Sequence, residues 1–297
     1  MGRWGGCKVL KIRKAVIPAA GWGTRFLPVT KAVPKEALPI VDRPVIQYAV
    51  EEAVASGIEQ VILVTSENKK SLEDYFSRNF DLEKVLAAKG DLVNAEKIRG
   101  LASLAKISSI RQQNQLGLGH AVLTAKDAVG NEPFAVILPD DVFDAKVPVL
   151  RQLIDVFERY GGSVVGVNMV AERDVSRYGV VDGERLDSGS YKLNKLVEKP
   201  RLSEAPSRLA IVGRYVFTPE IFVKLEETKP GAIGEIQLTD AMNELAQERG
   251  LYAVEYEGEY LDAGTPLGMV KSSVREALTR PDMGPELRAW LANKLDE

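Results

Sequence analysis

The stretch Lys14–Pro44, KAVIPAAGWGTRFLPVTKAVPKEALPIVDRP, organises everything that follows it. Ala15-Val16-Ile17 is an apolar run of the kind a parallel sheet buries on both faces, so it reads as a strand. The run ends in Ala19-Ala20-Gly21, three residues with almost no side chain. A long loop carrying Gly23, Thr24, Arg25, Lys31 and Lys35 comes next. Asp42-Arg43-Pro44 then reads as a helix start, with aspartate as the cap and proline in the first turn. A strand that ends small and glycine-rich at the edge of an open α/β sheet is a docking place for nucleotides. Free backbone N–H groups there suit anionic oxygens, and the basic side chains suit a phosphate chain. Such a loop can equally do no more than turn the chain. Its glycine spacing is not G-x-G-x-x-G, which argues against a nicotinamide or flavin fingerprint. It is not G-x-x-x-x-G-K-[ST] either, so it is no Walker loop.

Outward from this loop, Val45, Ile46, Ala49, Val50, Ala53 and Val54 recur at helical spacing, and Ser56-Gly57 ends the helix. Residues 60–66 form a second buried strand, completing a β-loop-α-β unit. From Ser71 to Leu104 the chain is polar and reads as two or three exposed helices. Further strands are expected at 108–111, 134–138 and 163–169, with a helix over 148–160. Beyond that the strands beginning at Tyr178, Tyr191, Ile211 and Leu251 alternate in face, the pattern of antiparallel company. Helices are expected over 220–227, 237–247, 266–278 and 285–294. The natural assembly is a mixed β-sheet flanked by helices.

Composition narrows the classes. The 297 residues suit one large α/β domain or two small ones. The net charge of −3 argues against a general nucleic-acid binder. No apolar run reaches the length of a membrane span. The opening MGRWGGCKVLKIRK lacks the apolar core of a signal peptide and reads as an N-terminal extension over 1–13. Cys7 is the single cysteine, so no intrachain disulfide forms, and a reducing, cytoplasmic setting fits. His120 is the single histidine. It rules out a His-rich metal site, and a Ser-His-Asp triad would have to use it. A structural or hydrogen-bonding role is its ordinary reading.

Several residues could carry chemistry. Asp140-Asp141 follows a buried strand, where carboxylates can hold a hard cation or simply form a Pro-Asp-Asp turn. Asp262, in Tyr260-Leu-Asp-Ala-Gly264, stands in a similar context. Mg²⁺ takes one or two carboxylates plus phosphates and waters, so these distant acids suffice if they meet. Glu198-Lys199 at a strand end could bind a phosphate and sugar hydroxyls, or be solvated surface. Gly117 and Gly119 could give close backbone approach to a flat ligand, or form a turn.

Taken together, AAGWGTRFLPVTKAVPKEALPIVDRP, RQQNQLGLGHAV, ILPDDV, YGVV, VEKP, VGRYVFTPEIF, GEIQLTDAM and LDAGTPLG resemble, in content and order, the bacterial UTP–glucose-1-phosphate uridylyltransferases. These are a branch of the sugar nucleotidyltransferases. The resemblance runs from about Lys14 to the final helix. It implies a Rossmann-like fold of the nucleotide-diphospho-sugar transferase type over 14–268, with a C-terminal helical tail, 269–297, packed on the same domain. It implies an Mg²⁺-dependent enzyme that makes UDP-glucose and pyrophosphate from UTP and glucose 1-phosphate. Ala19, Ala20, Gly21, Gly23 and Thr24 would lie along the nucleotide, and Glu36, Gln112 and Gly117 would read the uracil edge. Arg25 and Lys35 would hold the triphosphate, and Asp140 and Asp262 the metal. Gly179, Glu198, Lys199 and Gly213 would surround glucose 1-phosphate, with Lys199 on its phosphate. A homodimer or homotetramer would be the working state. The chain departs from the family pattern at Trp22, at Gln115 and at Ala263 with Thr265-Pro266. The alternatives are a glucose-1-phosphate thymidylyltransferase and a non-catalytic regulatory homologue.

Overall fold

The computed structural model describes residues 11–231 and 234–295. Residues 1–10, most of the expected N-terminal extension and Cys7 with it, lie outside the described residues. In chain order the strands are β1 (Lys14–Pro18), β2 (Pro39–Ile40), β3 (Arg43–Pro44), β4 (Gln60–Thr65), β5 (Lys106–Arg111), β6 (Phe134–Ile137) and β7 (Asp141–Asp144). They continue as β8 (Ser163–Met169), β9 (Gly179–Arg185), β10 (Ser190–Glu198), β11 (Leu209–Phe217), β12 (Leu251–Glu255) and β13 (Glu259–Asp262). One mixed sheet runs β5-β4-β1-β6-β11-β8-β12-β10-β9. Its first four strands are mutually parallel. β11 then runs antiparallel to both β6 and β8.

The first strand shows why the sheet is covered on both faces. Ala15, Val16 and Ile17 are each 0% exposed. Ala15 and Ile17 pack with Ile46, Val50, Leu150 and Leu153, from helices Val45–Ala55 and Val149–Tyr160. Val16 points the other way, to Val122, Phe222, Leu225 and Met242, from helices Leu118–Thr124, Glu220–Glu227 and Leu238–Arg249. Period-two alternation thus feeds two cores from one continuous apolar run. On the second face, Phe134 and Phe222 stack at 4.9 Å between ring centroids. Burial of such side chains contributes roughly 1.5–3 kcal/mol each.

The expected helix start differs from what the chain does. Arg43–Pro44 pairs with Pro39–Ile40 in a two-stranded ladder, and the helix begins only at Val45. Asp42 therefore stands too far upstream to cap it, and its Oδ1 instead accepts from Arg280 Nη1 at 2.7 Å. The polar segment after β4 folds as three helices, Lys70–Tyr75, Phe80–Ala88 and Leu92–Ala102. Asn79 and Asp91 cap the last two by accepting from Leu82 N and Asn94 N. At the other end, helix Pro266–Thr279 is capped by Thr265, which accepts from Gly268 N at 3.1 Å, with proline in the first turn. This helix packs on β13 and on the last helix, Gly284–Leu295. Among the described residues no helix is long and apolar enough to cross a membrane.

One small ribbon positions the site. β13 pairs antiparallel with β7, in a register that sets Asp262 opposite Asp141. Just upstream, Ala263 N donates to Asp140 O at 2.9 Å. Acids more than a hundred residues apart thereby meet where β6 ends.

Candidate active site

The C-terminal end of β1 opens a cleft of about 530 Å³. Ala20, Gly21, Gly23, Thr24, Lys35, Glu36, Gln112, Gly117 and Asp140 all line it, together with Trp22 and Gln115. Ala19 does not. It is buried beneath, and its N–H donates to Val64 O at 2.8 Å, continuing the sheet ladder past β1. Gly23 (φ 66) and Gly117 (φ 95) adopt backbone conformations that favour glycine. A Cβ on Gly117 would come within 2.8 Å of Glu235 Cβ, so the turn also needs a residue without a side chain.

A second cleft, about 190 Å³, is lined by Gly179, Glu198, Lys199 and Gly213, with Asp141, Arg177 and Thr239. Glu198 is held on both oxygens: Thr239 Oγ1 donates to Oε2 at 2.6 Å, and Lys199 Nζ lies 3.1 Å from Oε1. Lys199 adopts φ 44, a left-handed conformation that a lysine rarely takes. Backbone strain of this sort concentrates at functional sites. Gly213 N donates to Asp141 Oδ2 at 3.0 Å, and an added Cβ there would collide with that same oxygen. Between the two clefts lies a third space, about 500 Å³, lined by Arg25, Asp140, Asp141, Lys199, Asp262 and Gly264. Leu138 borders all three. The candidates named from the sequence thus fall into two groups joined at one turn, Leu138–Asp141, with Arg25 and Asp262 in the space between them.

The charges there are arranged in pairs. Lys35 Nζ lies 2.6 Å from Asp140 Oδ2, both side chains roughly three-quarters buried. Burial disfavours both charges, yet their mutual attraction wins: the Asp140 carboxyl is held below its usual range and the Lys35 ammonium above its own. The neighbouring Asp141 shows the opposite balance. Burial first, and the Asp140 charge second, push it up to about 6. Tyr260 donates its hydroxyl to Asp141 Oδ1 at 2.6 Å. Asp262 accepts from Gly264 N at 2.8 Å and Thr265 Oγ1 at 3.1 Å, with Arg177 Nη2 3.6 Å away. Arg25 Nη1 donates to Gly264 O at 3.4 Å.

Gly264 is also where a metal would fit. A Cβ on it would sit 3.1 Å from Asp140 Oδ2 and 3.2 Å from Asp262 Oδ1, so both carboxylates face its bare Cα. Two carboxylates with room for phosphate and water oxygens match the demands of a hard cation. Among the described residues there is no group of three or more His, Cys, Asp or Glu that could hold a metal ion, so the protein side of a site here is the Asp140–Asp262 pair.

Beneath the first cleft, Lys69 Nζ lies 2.7 Å from Glu36 Oε2, and both residues are buried. Here burial outweighs attraction, raising the Glu36 carboxyl and lowering the Lys69 ammonium. Glu36 Oε1 has no hydrogen-bond partner. A buried acceptor left unpaired is costly and points to a ligand group.

Sequence reasoning passed over several of these partners. Arg214 is 1% exposed and donates to the carbonyls of Leu138 (2.9 Å), Gly213 (3.0 Å) and Asp141 (2.6 Å) while gripping Glu52. An arginine inside Leu209–Phe217, otherwise apolar and buried throughout, was its visible signal. Lys69, Thr239 and Arg177 sit in polar surroundings and gave none.

A family model, nucleotidyl transferase, matches residues 14–277. A UTP–glucose-1-phosphate uridylyltransferase of Staphylococcus epidermidis is 50% identical over 281 residues, 95% of this chain and 98% of the relative. A crystal structure of a UDP-glucose pyrophosphorylase complexed with UDP-glucose superposes with a TM-score of 0.83 at 45% identity, over 91% of this chain and all of that one. The UTP-bound enzyme of Acinetobacter baumannii gives 0.88 at 40% identity, over 95% and 99%. Enzymes of this kind generally use a divalent metal. Matches of this extent cover nearly the whole chain, and the chain belongs to the nucleotidyl transferase family, among its UTP–glucose-1-phosphate uridylyltransferases.

Proposed function

We propose that the chain makes UDP-glucose and pyrophosphate from UTP and α-D-glucose 1-phosphate. The observation that carries this reading is the single turn, Leu138–Asp141, bordering a cleft on each side. UTP occupies the cleft at the end of β1. Its triphosphate meets Arg25 and Lys35, and its base edge meets Glu36, Gln112 and the backbone at Gly117. Small residues at Ala20 and Gly21, with Gly23 and Thr24 beyond, let the nucleotide lie against the backbone. Glucose 1-phosphate occupies the other cleft, its hydroxyls on Glu198 and the backbone of Gly179 and Gly213, its phosphate on Lys199.

The reaction is in-line displacement. A phosphate oxygen of glucose 1-phosphate attacks the α-phosphorus of UTP. The bond from that phosphorus to the bridging oxygen breaks, and pyrophosphate leaves with the electron pair. The attacking oxygen is already anionic near neutral pH, so no general base is needed, and a chain with one histidine suffices. The barrier is repulsion between two polyanions plus the entropy of aligning them. Lys35, Arg25 and Lys199 lower the first, and the rigid strand ends lower the second. We propose that Mg²⁺ is the metal, held by Asp140 and Asp262. Once bound, such a cation neutralises phosphate oxygens and helps to align them.

In this reading residues 14–268 form the nucleotidyltransferase domain and 269–297 a tail on it, mostly helical over its described part, with helix Pro266–Thr279 running unbroken across that boundary. A homodimer or homotetramer is the working state. Leu267, Val270 and Trp290, exposed on the last two helices, support this. One cysteine and no membrane-spanning helix among the described residues fit a cytoplasmic enzyme. The deciding experiment is pyrophosphate release from UTP, glucose 1-phosphate and Mg²⁺, with dTTP in competition. Release only when UTP is present supports the assignment. A clear preference for dTTP transfers it to the thymidylyltransferases, and no release with either refutes it.

A further inference from the structure

Gln112 follows β5, its backbone N–H donating to Thr65 O at 2.9 Å, and the residue is 5% exposed at the wall of the nucleotide cleft. Its amide nitrogen lies 3.3 Å from the Gly117 carbonyl oxygen and 2.8 Å from His120 Nδ1. A carbonyl oxygen only accepts, so the group turned toward Gly117 must be the NH₂ end of the amide. The carbonyl end in that place would set two acceptors against each other. One N–H therefore goes to Gly117, and the other is available to His120. His120 Nδ1 must then accept, which puts the ring proton on Nε2. Both donors of Gln112 are spent in this way, and neither bond uses Oε1.

We propose that His120, on helix Leu118–Thr124, is a positioning residue for base choice, pinning the Gln112 amide so that its acceptor, Oε1, faces the base. The inference rests on the reading that Gln112 meets the base edge. Uracil presents N3–H, a donor, and Oε1 accepts from it. Cytosine presents a bare N3, a second acceptor, and is repelled. A site built for one hydrogen-bonding pattern leaves groups unpaired with the other, and discrimination follows. Without His120 the amide keeps only the long bond to Gly117, can turn over, and offers either end. Thymine carries the same N3–H as uracil, so this device does not separate UTP from dTTP.

The test is steady-state pyrophosphate release by the full chain with UTP and with CTP. The variants are His120→Leu, His120→Ala, His120→Asn, Gln112→Ala and the double variant Gln112→Ala/His120→Leu. Asparagine carries Oδ1 on Cγ, where histidine carries Nδ1, and restores an acceptor. The expected result for His120→Leu is a loss of about tenfold or more in the UTP-over-CTP ratio of kcat/KM, mostly through the KM for UTP. His120→Asn should stay within about threefold of the parent, and the double variant should add less than about twofold to Gln112→Ala. An unchanged ratio in His120→Leu overturns the proposal, as do losses that multiply in the double variant. If both apolar variants fail to fold, the histidine is structural and the proposal is likewise overturned. The wider reading fails differently: Gln112→Ala would then leave base preference untouched.

Discussion

Asp140 serves two neighbours at once, with a carboxylate toward Lys35 and a carbonyl accepting from Ala263 N. In the mechanism above that carboxylate also holds the metal. Replacing it with alanine should cut kcat by at least about a hundredfold with circular dichroism still showing the folded chain, although the stranded Lys35 ammonium should lower the thermal midpoint. Chelation of the parent enzyme should abolish turnover, and added Mg²⁺ should restore it. Near-normal turnover of Asp140→Ala in Mg²⁺ would remove this residue from the chemistry. The Lys199 side chain is exposed and pairs with Glu198, and its backbone bond to Tyr178 O does not need the side chain, so Lys199→Ala should leave folding intact. Its expected effect is a KM for glucose 1-phosphate about tenfold higher or more, with the KM for UTP little changed. An effect confined to UTP would mean that the sugar phosphate lies elsewhere.

β11 does more than fill the sheet. Its Arg214 spans from Glu52, on helix Val45–Ala55, to the carbonyls of Leu138, Gly213 and Asp141. The guanidinium also stacks 4.6 Å over the Phe143 ring. One side chain thus ties a buried helix to the turn that separates the two clefts. Breaking a buried pair from one side leaves a charge stranded, at a cost of about 3–5 kcal/mol. Arg214→Met should show that loss in urea unfolding. Replacing both partners, Arg214→Met with Glu52→Leu, should recover part of the stability, since Glu52 also accepts from Leu150 N at 2.9 Å, but not the turnover. The turn would still lack the arginine that clamps it, although backbone N–H groups keep the Leu138 and Gly213 carbonyls paired. Full activity in the double variant would show that the strut serves stability alone.

The whole molecule places a parallel half of the sheet beside a mixed half, antiparallel except where β12 runs parallel to β8, with β6 and β11 at the seam. The end of β1 and the loops after β5 lie on one side of that seam, and the ends of β9 and β10 on the other. Hydrogen exchange should register both halves separately. UTP should slow exchange around Ala20–Thr24 and Gln112–Gly117, whereas UDP-glucose should slow it there and also around Gly179 and Lys199. Equal protection of both regions by UTP alone would contradict the division between clefts.

Much of this architecture could be read along the chain. Apolar runs at 15–17, 60–66 and 134–138 announced buried strands, because which face a residue buries is a local, periodic property. Alternation after Tyr178 announced antiparallel pairing, which β9, β10 and β11 show, but β11 is buried along its whole length and β12 runs parallel to β8. Ala20, Asp140, Lys199 and Asp262 stood out as candidates at strand ends or turns, whereas Glu36 and Gln112 were named only by the resemblance to the family. Their partners did not stand out. Asp42 looked like a cap but reaches Arg280, and nothing near Lys69 hinted at Glu36. His120 declared itself a hydrogen-bonding residue without declaring Gln112 as its partner. Such pairs depend on strand order and register, which hydropathy does not encode. Only the packed sheet, by setting β13 against β7 and β11 against β6, decided which distant charges would share a space and which of them would be shielded from water.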